Sequence, residues 1–248
     1  MGSYNNFASY YDYLMSEDIN YERIVDFIEN IFIEYEIEPQ LVADLACGTG
    51  NITVPMSKRG YEMIGIDKSV QMLDVARAKA VSEKEDILFL NQSITKLDLY
   101  GTCDAFLCMI DGVNYIINPK ALYNMFSRIN KCFINPKGVF IFDISSYYKI
   151  KNIIGNNTFI HDGDDIFYTW ENKFYEKNNL CNMYLNFFVR KGKGYKRFSE
   201  HHIQRGYKRE EIKMLLKKAG FKDIMEFNGF SMEKADDKSQ RIVFVCRK

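Results

Sequence analysis

Short apolar runs alternate with helix-forming segments through the first part of the chain, and this alternation constrains the fold most. The runs occupy residues 41–46, 61–66, 87–90, 105–110 and 138–144. Apolar runs of this length are typical of strands that are covered on both faces, as in a parallel sheet flanked by helices. The sequence therefore predicts a doubly wound α/β fold.

The segments between and after these runs carry helix signals. Ser69 and Asn118 are candidate N-caps, Pro119 suits a first helical position, and Gly220 is a candidate C-cap. Helices are predicted at 21–35, 70–80, 118–133 and 209–219, and two further strands at 222–227 and 241–246.

The composition changes after the fifth apolar run. Residues 147–206 are rich in Tyr, Phe, Asn and Thr, and apolar and polar side chains alternate between Cys181 and Phe187. Such alternation predicts antiparallel strands with one face in water. We expect a core made of residues 1–146 and 207–248, with a small antiparallel β lid at 147–206 inserted into a mostly parallel, Rossmann-like sheet.

The charge balance argues against a nucleic-acid partner. The 248 residues include 33 basic and 33 acidic side chains, so the formal net charge at pH 7 is zero. Free-standing nucleic-acid binders normally carry a basic face or a high isoelectric point. The one basic run, residues 190–197, is interpreted as a solvated hairpin turn.

The cysteines and the N-terminus bear on the cellular compartment. No pair of the six cysteines has the C-x-x-C spacing of a metal or redox site. The first residues lack the pattern of a signal peptide, and no apolar run is long enough to cross a bilayer. We therefore expect a cytoplasmic protein with no metal site and no membrane association.

A glycine turn follows the first apolar run, and an acid ends the second. Gly48 and Gly50 lie between the first predicted strand and a helix, where missing Cβ atoms let a ligand approach the backbone. Asp67 follows Gly48 by 19 residues, and a carboxylate there can accept hydrogen bonds from both hydroxyls of a ribose.

Two ligand classes fit this turn, a dinucleotide and a nucleoside joined to an amino acid. Thr53 stands where a dinucleotide fingerprint requires a third small residue. Asp44, inside the first strand, is poorly placed for a phosphate but suits the ammonium group of an amino acid. The residues favour the second class and leave the dinucleotide open.

Two motifs at this spacing resemble those of a known family. Asp44-Leu45-Ala46-Cys47-Gly48-Thr49-Gly50 closely matches the first motif of class I S-adenosylmethionine (SAM)-dependent methyltransferases, and Gly65-Ile66-Asp67-Lys68-Ser69 with Met72 matches their second. The resemblance implies SAM as cofactor and S-adenosylhomocysteine (SAH) as product. It implies that the cofactor is bound by Asp44, Ala46, Gly48, Gly50, Asp67, Lys68, Met72, Gln92, Ser93, Ile94 and Met109.

The resemblance extends to small-molecule methyltransferases with a β-sheet lid, which include amino-sugar N,N-dimethyltransferases. Residues 7–12, 111–115 and 198–207 carry it. It implies a catalytic role for Tyr11 and His202. Substrate binding is predicted at Asp111, Asn114 and Arg205, although strand alternation puts Arg205 and His202 on opposite faces.

The sequence thus predicts a methyltransferase that acts on N or O of a small molecule held under a β lid. Two alternatives remain: a methyltransferase that acts on RNA or protein, and a non-catalytic protein that binds an adenosyl cofactor or a dinucleotide. The expected partner is the small-molecule substrate, with no nucleic acid, and the expected state is a monomer or a homodimer.

Overall fold

The computed structural model describes Tyr10, Asp12 and residues 19–248. In that part of the chain one seven-stranded sheet forms the centre, in the order β10-β11-β5-β4-β1-β2-β3. Its strands are β1 Leu41–Leu45, β2 Glu62–Asp67, β3 Leu88–Asn91, β4 Cys103–Cys108, β5 Ile134–Ser145, β10 Lys222–Asn228 and β11 Arg241–Arg247. The neighbouring strands β3, β2, β1, β4 and β5 pair in parallel. Next to β5, the strands β11 and then β10 extend the sheet with antiparallel pairing. The predicted α/β fold is confirmed.

The helices in the described part of the chain use all three predicted capping residues. They are α1 Tyr21–Glu34, α2 Thr53–Lys58, α3 Val70–Glu83, α4 Pro119–Arg128 and α5 Arg209–Ala219. Ser69 and Asn118 accept backbone hydrogen bonds as N-caps of α3 and α4. Gly220 ends α5 at a φ of +102°, a left-handed conformation that favours glycine.

Two elements differ most from their predicted bounds. The helix predicted at 118–133 is α-helical only to Arg128, and its last turn widens into a π-helical turn at Ile129–Phe133. β5 begins at Ile134 rather than at residue 138, since Ile134 pairs with Cys103 of β4 ahead of a register shift. Lys137 has a φ of +66° in this irregular stretch.

Apolar side chains fill both faces of the sheet. On one face α1 packs over Val42, Leu107 and Val245, and on the other α4 and α5 pack over strand residues such as Phe106 and Phe140. Because both faces are covered, the carboxyl ends of the strands form the open edge of the sheet. The chain reverses its strand order between β1 and β4, and ligands of such sheets bind at this point.

Residues 158–205 form a second, four-stranded antiparallel sheet. Its strands, in order, are β6 Thr158–Asp162, β7 Ile166–Tyr175, β8 Leu180–Lys191 and β9 Gly194–Arg205. All four lie within residues 147–206, the predicted lid segment, and this sheet is called the lid below; its function as a lid stays a prediction. A π-helical turn at Lys149–Ile154, which the sequence did not predict, precedes the four strands. The basic run 190–197 is the exposed turn between β8 and β9, as predicted.

The inner face of the lid packs on the core beside α3. Ile166, Phe187, Val189 and Phe198 are buried in one cluster with Met72. No helix in the described part of the chain is both long and apolar enough to cross a membrane.

Candidate active site

The glycine turn leaves β1 through a series of left-handed residues. Ala46, Gly48 and Gly50 have φ values of +55°, +56° and +78°. A Cβ atom on Gly48 would meet no atom within 4 Å, whereas one on Gly50 would lie 3.2 Å from the Cβ of Ala76 in α3. Gly48 therefore keeps the cleft open to a ligand, and Gly50 allows close packing of the turn on a helix.

Asp67 joins the ends of β1 and β2. Its Oδ2 accepts a hydrogen bond from the Gly48 amide at 3.0 Å, and its Oδ1 accepts one from the Ser69 amide at 2.8 Å. Burial raises the pKa of Asp67, and these amide bonds oppose that effect. Each carboxylate oxygen keeps a lone pair for a further donor, such as a ribose hydroxyl.

A cavity of about 300 Å³, the large cavity, opens beside Gly48 and Asp67. It is lined by Ala46, Gly48, Asp67, Lys68, Met72, Ser93, Ile94, Thr95, Ile110, Gly112, Tyr115 and Ile116. The first seven of these were predicted as cofactor-binding residues. The other five were missed as site residues, although Thr95 directly follows the predicted Ile94 and Tyr115 ends the segment 111–115 that carries the resemblance.

A second cavity of about 50 Å³, the small cavity, adjoins the first, with which it shares Ala46, Gly48 and Ile110. Two further predicted residues, Asp44 and Met109, line it in addition to the shared Ala46 and Gly48. Asp44 accepts a hydrogen bond from the Thr53 hydroxyl at 2.6 Å. Burial raises the pKa of the Asp44 carboxyl to about 7, which places its titration near neutral pH.

The N-terminal segment contacts both the glycine turn and the lid. The Oδ1 of Asp12 accepts hydrogen bonds from the Thr49 hydroxyl at 2.5 Å and the Asn51 amide at 2.8 Å. The ring of Tyr10 stacks on Phe198 of β9, with ring centroids 5.6 Å apart. Tyr11, a predicted catalytic residue, lies outside the described residues.

His202 lies on the buried face of β9. Its Nδ1 is 3.4 Å from the hydroxyl of Tyr115, and the two rings meet edge to face. Burial, together with smaller effects of the charges of His201 and Lys68, lowers the pKa of His202 to about 4, so the imidazole is neutral at physiological pH. His202 is thus linked to the large cavity through Tyr115.

The similarities of the chain to known proteins agree with this geometry. Residues 42–138 match the family described as "Methyltransferase domain". The Bacillus subtilis protein YqeM, which carries the provisional name of a methyltransferase, is 33% identical over 99% of this chain and 97% of its own. The chain belongs to the SAM-dependent methyltransferases.

Solved structures show the same fold. A SAM-dependent methyltransferase from Clostridium acetobutylicum superposes with a TM-score of 0.91, at 37% identity, over 98% of both chains. CalS10, an amino pentose methyltransferase from Micromonospora echinaspora, covers 100% of this chain and 99% of its own, with a TM-score of 0.78 at 15% identity. The second likeness is one of fold alone.

The residues of the methyltransferase that line the two cavities fit SAM. An open glycine and a carboxylate with free lone pairs lie at the large cavity, where Met72 and Ile94 offer apolar surface to a base. A second carboxylate, Asp44, lies at the small cavity, which is the end suited to an ammonium group. The methyltransferase is an enzyme that uses this cofactor.

Two predicted residues have side chains engaged outside the cavities. The side-chain amide of Gln92 donates to the backbone carbonyl of Asp98 at 2.9 Å and accepts from its amide at 2.9 Å. The guanidinium of Arg205 forms an ion pair with Glu211 at 3.1 Å and lies over the ring of Tyr207. Neither residue lines the large or the small cavity.

The side chains of Asp111 and Asn114 are also bound to other residues of the protein. Asp111 forms an ion pair with Arg241 at 2.7 Å and accepts from the Ser145 hydroxyl at 3.0 Å. All three polar contacts of the Asn114 amide are with backbone atoms. Both side chains therefore satisfy buried groups at the strand ends, and their predicted role in substrate binding stays a prediction.

A buried carboxylate shapes the cavity wall that follows β4. Ile110 and Asp111 both adopt left-handed conformations, at φ values of +56° and +63°. Their amides donate to the carboxylate of Asp143 at 2.5 Å and 3.2 Å, and Arg241 pairs with the same carboxylate. Asp143 was not predicted as a site residue, and its position at the end of β5 was the signal that could have identified it.

Proposed function

We propose that this methyltransferase transfers a methyl group to a nitrogen or oxygen of a small molecule enclosed beneath the lid. The observation that carries the proposal is the burial of the inner face of the lid against Met72, a residue that also lines the large cavity. A lid that packs beside the cofactor cavity leaves room for a compact acceptor and obstructs a folded macromolecule.

The relatives and the charge of the chain support the same acceptor class. CalS10, which shares the fold, is described as an amino pentose methyltransferase, and KedS8 from Streptoalloteichus as a sugar N-methyltransferase. A net charge of zero offers no general attraction for RNA. We extend the acceptor class from these proteins to this chain as part of the proposal.

The cofactor-binding residues in this proposal are those that line the two cavities. We assign the ribose to Asp67 and the ammonium group to Asp44, with Gly48 between them. Ser93 and Thr95 offer hydroxyls to the adenine edge, and their Oγ atoms lie 3.0 Å apart. When bound, SAM supplies an electrophilic methyl group, and the residues of this chain orient the acceptor toward it.

We assign a positioning role to His202 and a direct role to Tyr115. A pKa of about 4 makes His202 a weak base, so it is poorly suited to remove a proton from an acceptor at neutral pH. Its neutral ring can instead hold the hydroxyl of Tyr115, a residue that lines the large cavity. Much of the rate acceleration of such a transfer can come from orientation. Tyr11 remains a candidate for contact with the acceptor.

Transfer of isotope-labelled methyl from SAM tests the acceptor class. The intact protein is incubated with a cell extract separated by size into metabolites, RNA and protein. We expect label in the metabolite fraction, and an exclusive transfer into RNA or protein would contradict the proposal. Fractionated metabolites then identify the acceptor for kinetic work.

Variants of the lid histidines test the assigned roles. His202→Asn and Tyr115→Phe should each lower kcat by about tenfold or more while SAH affinity stays nearly constant, since orientation and not cofactor binding is lost. His201→Asn is the matched control, because His201 is exposed on the other face of β9. Equal kcat values for the His202 and His201 variants would return His202 to a purely structural role.

A further inference from the structure

Asn114 lies where the wall of the large cavity meets both ends of the lid. It is fully buried within the 3₁₀ turn Gly112–Tyr115 that follows β4. Gly112 and Tyr115, at the two ends of this turn, line the large cavity, as does Ile116 directly after it. Any shift of the turn therefore changes the shape of the cofactor cavity.

The side chain of Asn114 binds the backbone at the points where the lid begins and ends. Its Nδ2 donates to the carbonyl of Ser145 at 3.0 Å and to the carbonyl of Arg205 at 2.9 Å. Its Oδ1 accepts from the Ser145 amide at 2.9 Å. Ser145 is the last residue of β5, and Arg205 is the last residue of β9. One amide group thus holds both connections of the lid.

The segment that follows the lid in sequence makes a second contact with the same cavity wall. The hydroxyl of Tyr207, a fully buried residue, donates to the carbonyl of Ile116. Arg205, at the end of β9, and Tyr207, two residues later, are therefore each joined to the cavity wall by a hydrogen bond. Buried hydrogen bonds of this kind are costly to leave unmade, so the wall and the lid ends are expected to move as one unit.

The lid also packs against a second part of the cavity wall. Phe187 and Phe198 of the lid pack in one cluster with Met72, which lines the large cavity from α3. The lid is therefore attached to one wall by apolar packing and to the other by Asn114. A ligand that orders either wall must also restrict the lid.

We propose that Asn114 is a positioning residue that couples occupancy of the cofactor cavity to the orientation of the lid. Cofactor binding orders the turn 112–115, and the three hydrogen bonds of Asn114 transmit that order to both ends of the lid. By reciprocity, a lid held in place by these bonds increases cofactor affinity. The proposal concerns the cofactor and the lid, and holds whichever acceptor is methylated.

Hydrogen exchange of the intact protein with and without SAH measures this coupling. In the wild type, saturating SAH should slow exchange of lid amides, including those next to Ser145 and Arg205, by about fivefold or more, the lower end of typical allosteric coupling. Asn114→Asp retains the shape and the bond from the Ser145 amide but places an oxygen against two carbonyls. It should abolish most of the protection of the lid and leave SAH protection of the glycine turn in place.

Asn172→Asp is the matched control. Asn172 is also buried, and its Nδ2 likewise donates to two carbonyls, those of Asn157 and Trp170, at 3.1 Å and 3.3 Å. Both acceptors lie within the lid, so this variant should lose local stability yet keep the SAH-induced protection at Ser145 and Arg205.

A second variant covers the case in which Asn114→Asp fails to fold. Tyr207→Phe removes only the hydroxyl that donates to Ile116, and it should reduce the lid protection partially. The proposal is overturned if SAH protects the lid equally in wild type, Asn114→Asp and Tyr207→Phe, if it leaves the wild-type lid unprotected, or if Asn172→Asp loses as much protection as Asn114→Asp.

Discussion

Asp44→Asn should weaken cofactor binding and stabilise the ligand-free protein above neutral pH. The Asp44 carboxyl is buried, and its hydrogen bond comes from the neutral hydroxyl of Thr53. Burial disfavours the charged form, and for this reason the pKa rises from 3.8 to about 7. An asparagine has the same shape, can accept the same hydrogen bond and carries no charge to bury.

The sign of the stability effect follows from this shift. A carboxyl whose pKa is higher in the folded state stabilises that state through its proton, fully below the unfolded pKa and not at all above about pH 7. The shift of about three pH units corresponds to about 4 kcal/mol. At pH 8 the free energy of unfolding of Asp44→Asn should therefore exceed that of the wild type by up to about 4 kcal/mol, and the excess should vanish toward pH 4.

Cofactor affinity should show the opposite trend. If the ammonium group of SAH requires the carboxylate, then the affinity of the wild type falls about tenfold from pH 8 to pH 6, since about nine-tenths of Asp44 is protonated at the lower pH. Binding at pH 7 should release about half a proton. Titration calorimetry in buffers of different ionisation enthalpy measures this release.

Two comparisons isolate Asp44 from other groups. Asp67 is present in both proteins, so its contribution cancels in the difference between wild type and Asp44→Asn except for its Coulombic interaction with Asp44. Methylthioadenosine, which lacks the ammonium group, should bind with little dependence on Asp44. An SAH affinity that is constant with pH, or an equal proton release by Asp44→Asn, would refute the assignment of this carboxylate to the ammonium group.

Two further substitutions test the remaining cofactor contacts. Gly48→Ala should reduce SAH affinity strongly because the new Cβ atom enters the cleft. Gly192→Ala is the control: Gly192 has a similar φ of +60° and equally open surroundings, so this variant should lose similar stability and keep its SAH affinity. Thermal unfolding measures the stability, and calorimetry measures the affinity. Asp67→Ala should weaken SAH by about tenfold or more, since charge-assisted bonds contribute about 1.5–3 kcal/mol; an unchanged dissociation constant would contradict the ribose assignment.

The sequence predicted best the features that depend on local pattern. The helix at 209–219 and its cap at Gly220 were predicted to the residue, because helical spacing and a left-handed glycine act over a few residues. The glycine turn and Asp67 were predicted for the same reason: they end successive parallel strands and must meet at one edge of the sheet. Their meeting is confirmed by the hydrogen bond between Gly48 and Asp67.

Side-chain destinations across the fold were harder to predict. Substrate binding by Arg205 stays a prediction, whereas its ion pair with Glu211, 3.1 Å away, was not predicted and forms because α5 follows β9 at once. The partner of Asp111 is Arg241, which is 130 residues away in the chain. Such pairs depend on which strands become neighbours, and no local periodicity encodes that information. The π-helical turns at Ile129–Phe133 and Lys149–Ile154 escaped prediction since they lack a distinct apolar period.

The adjacency of Ser145 and Arg205 at a single amide has an evolutionary consequence. The chain leaves the core at Ser145 and returns to it at Arg205, and these two points are neighbours. The segment between them can therefore be exchanged for another whose two ends lie the same distance apart. New segments of different length or shape could be grafted there without rebuilding the cofactor cleft. Diversification of acceptors within this architecture would then proceed by exchange at one junction, with Asn114 as the feature that each graft must accommodate.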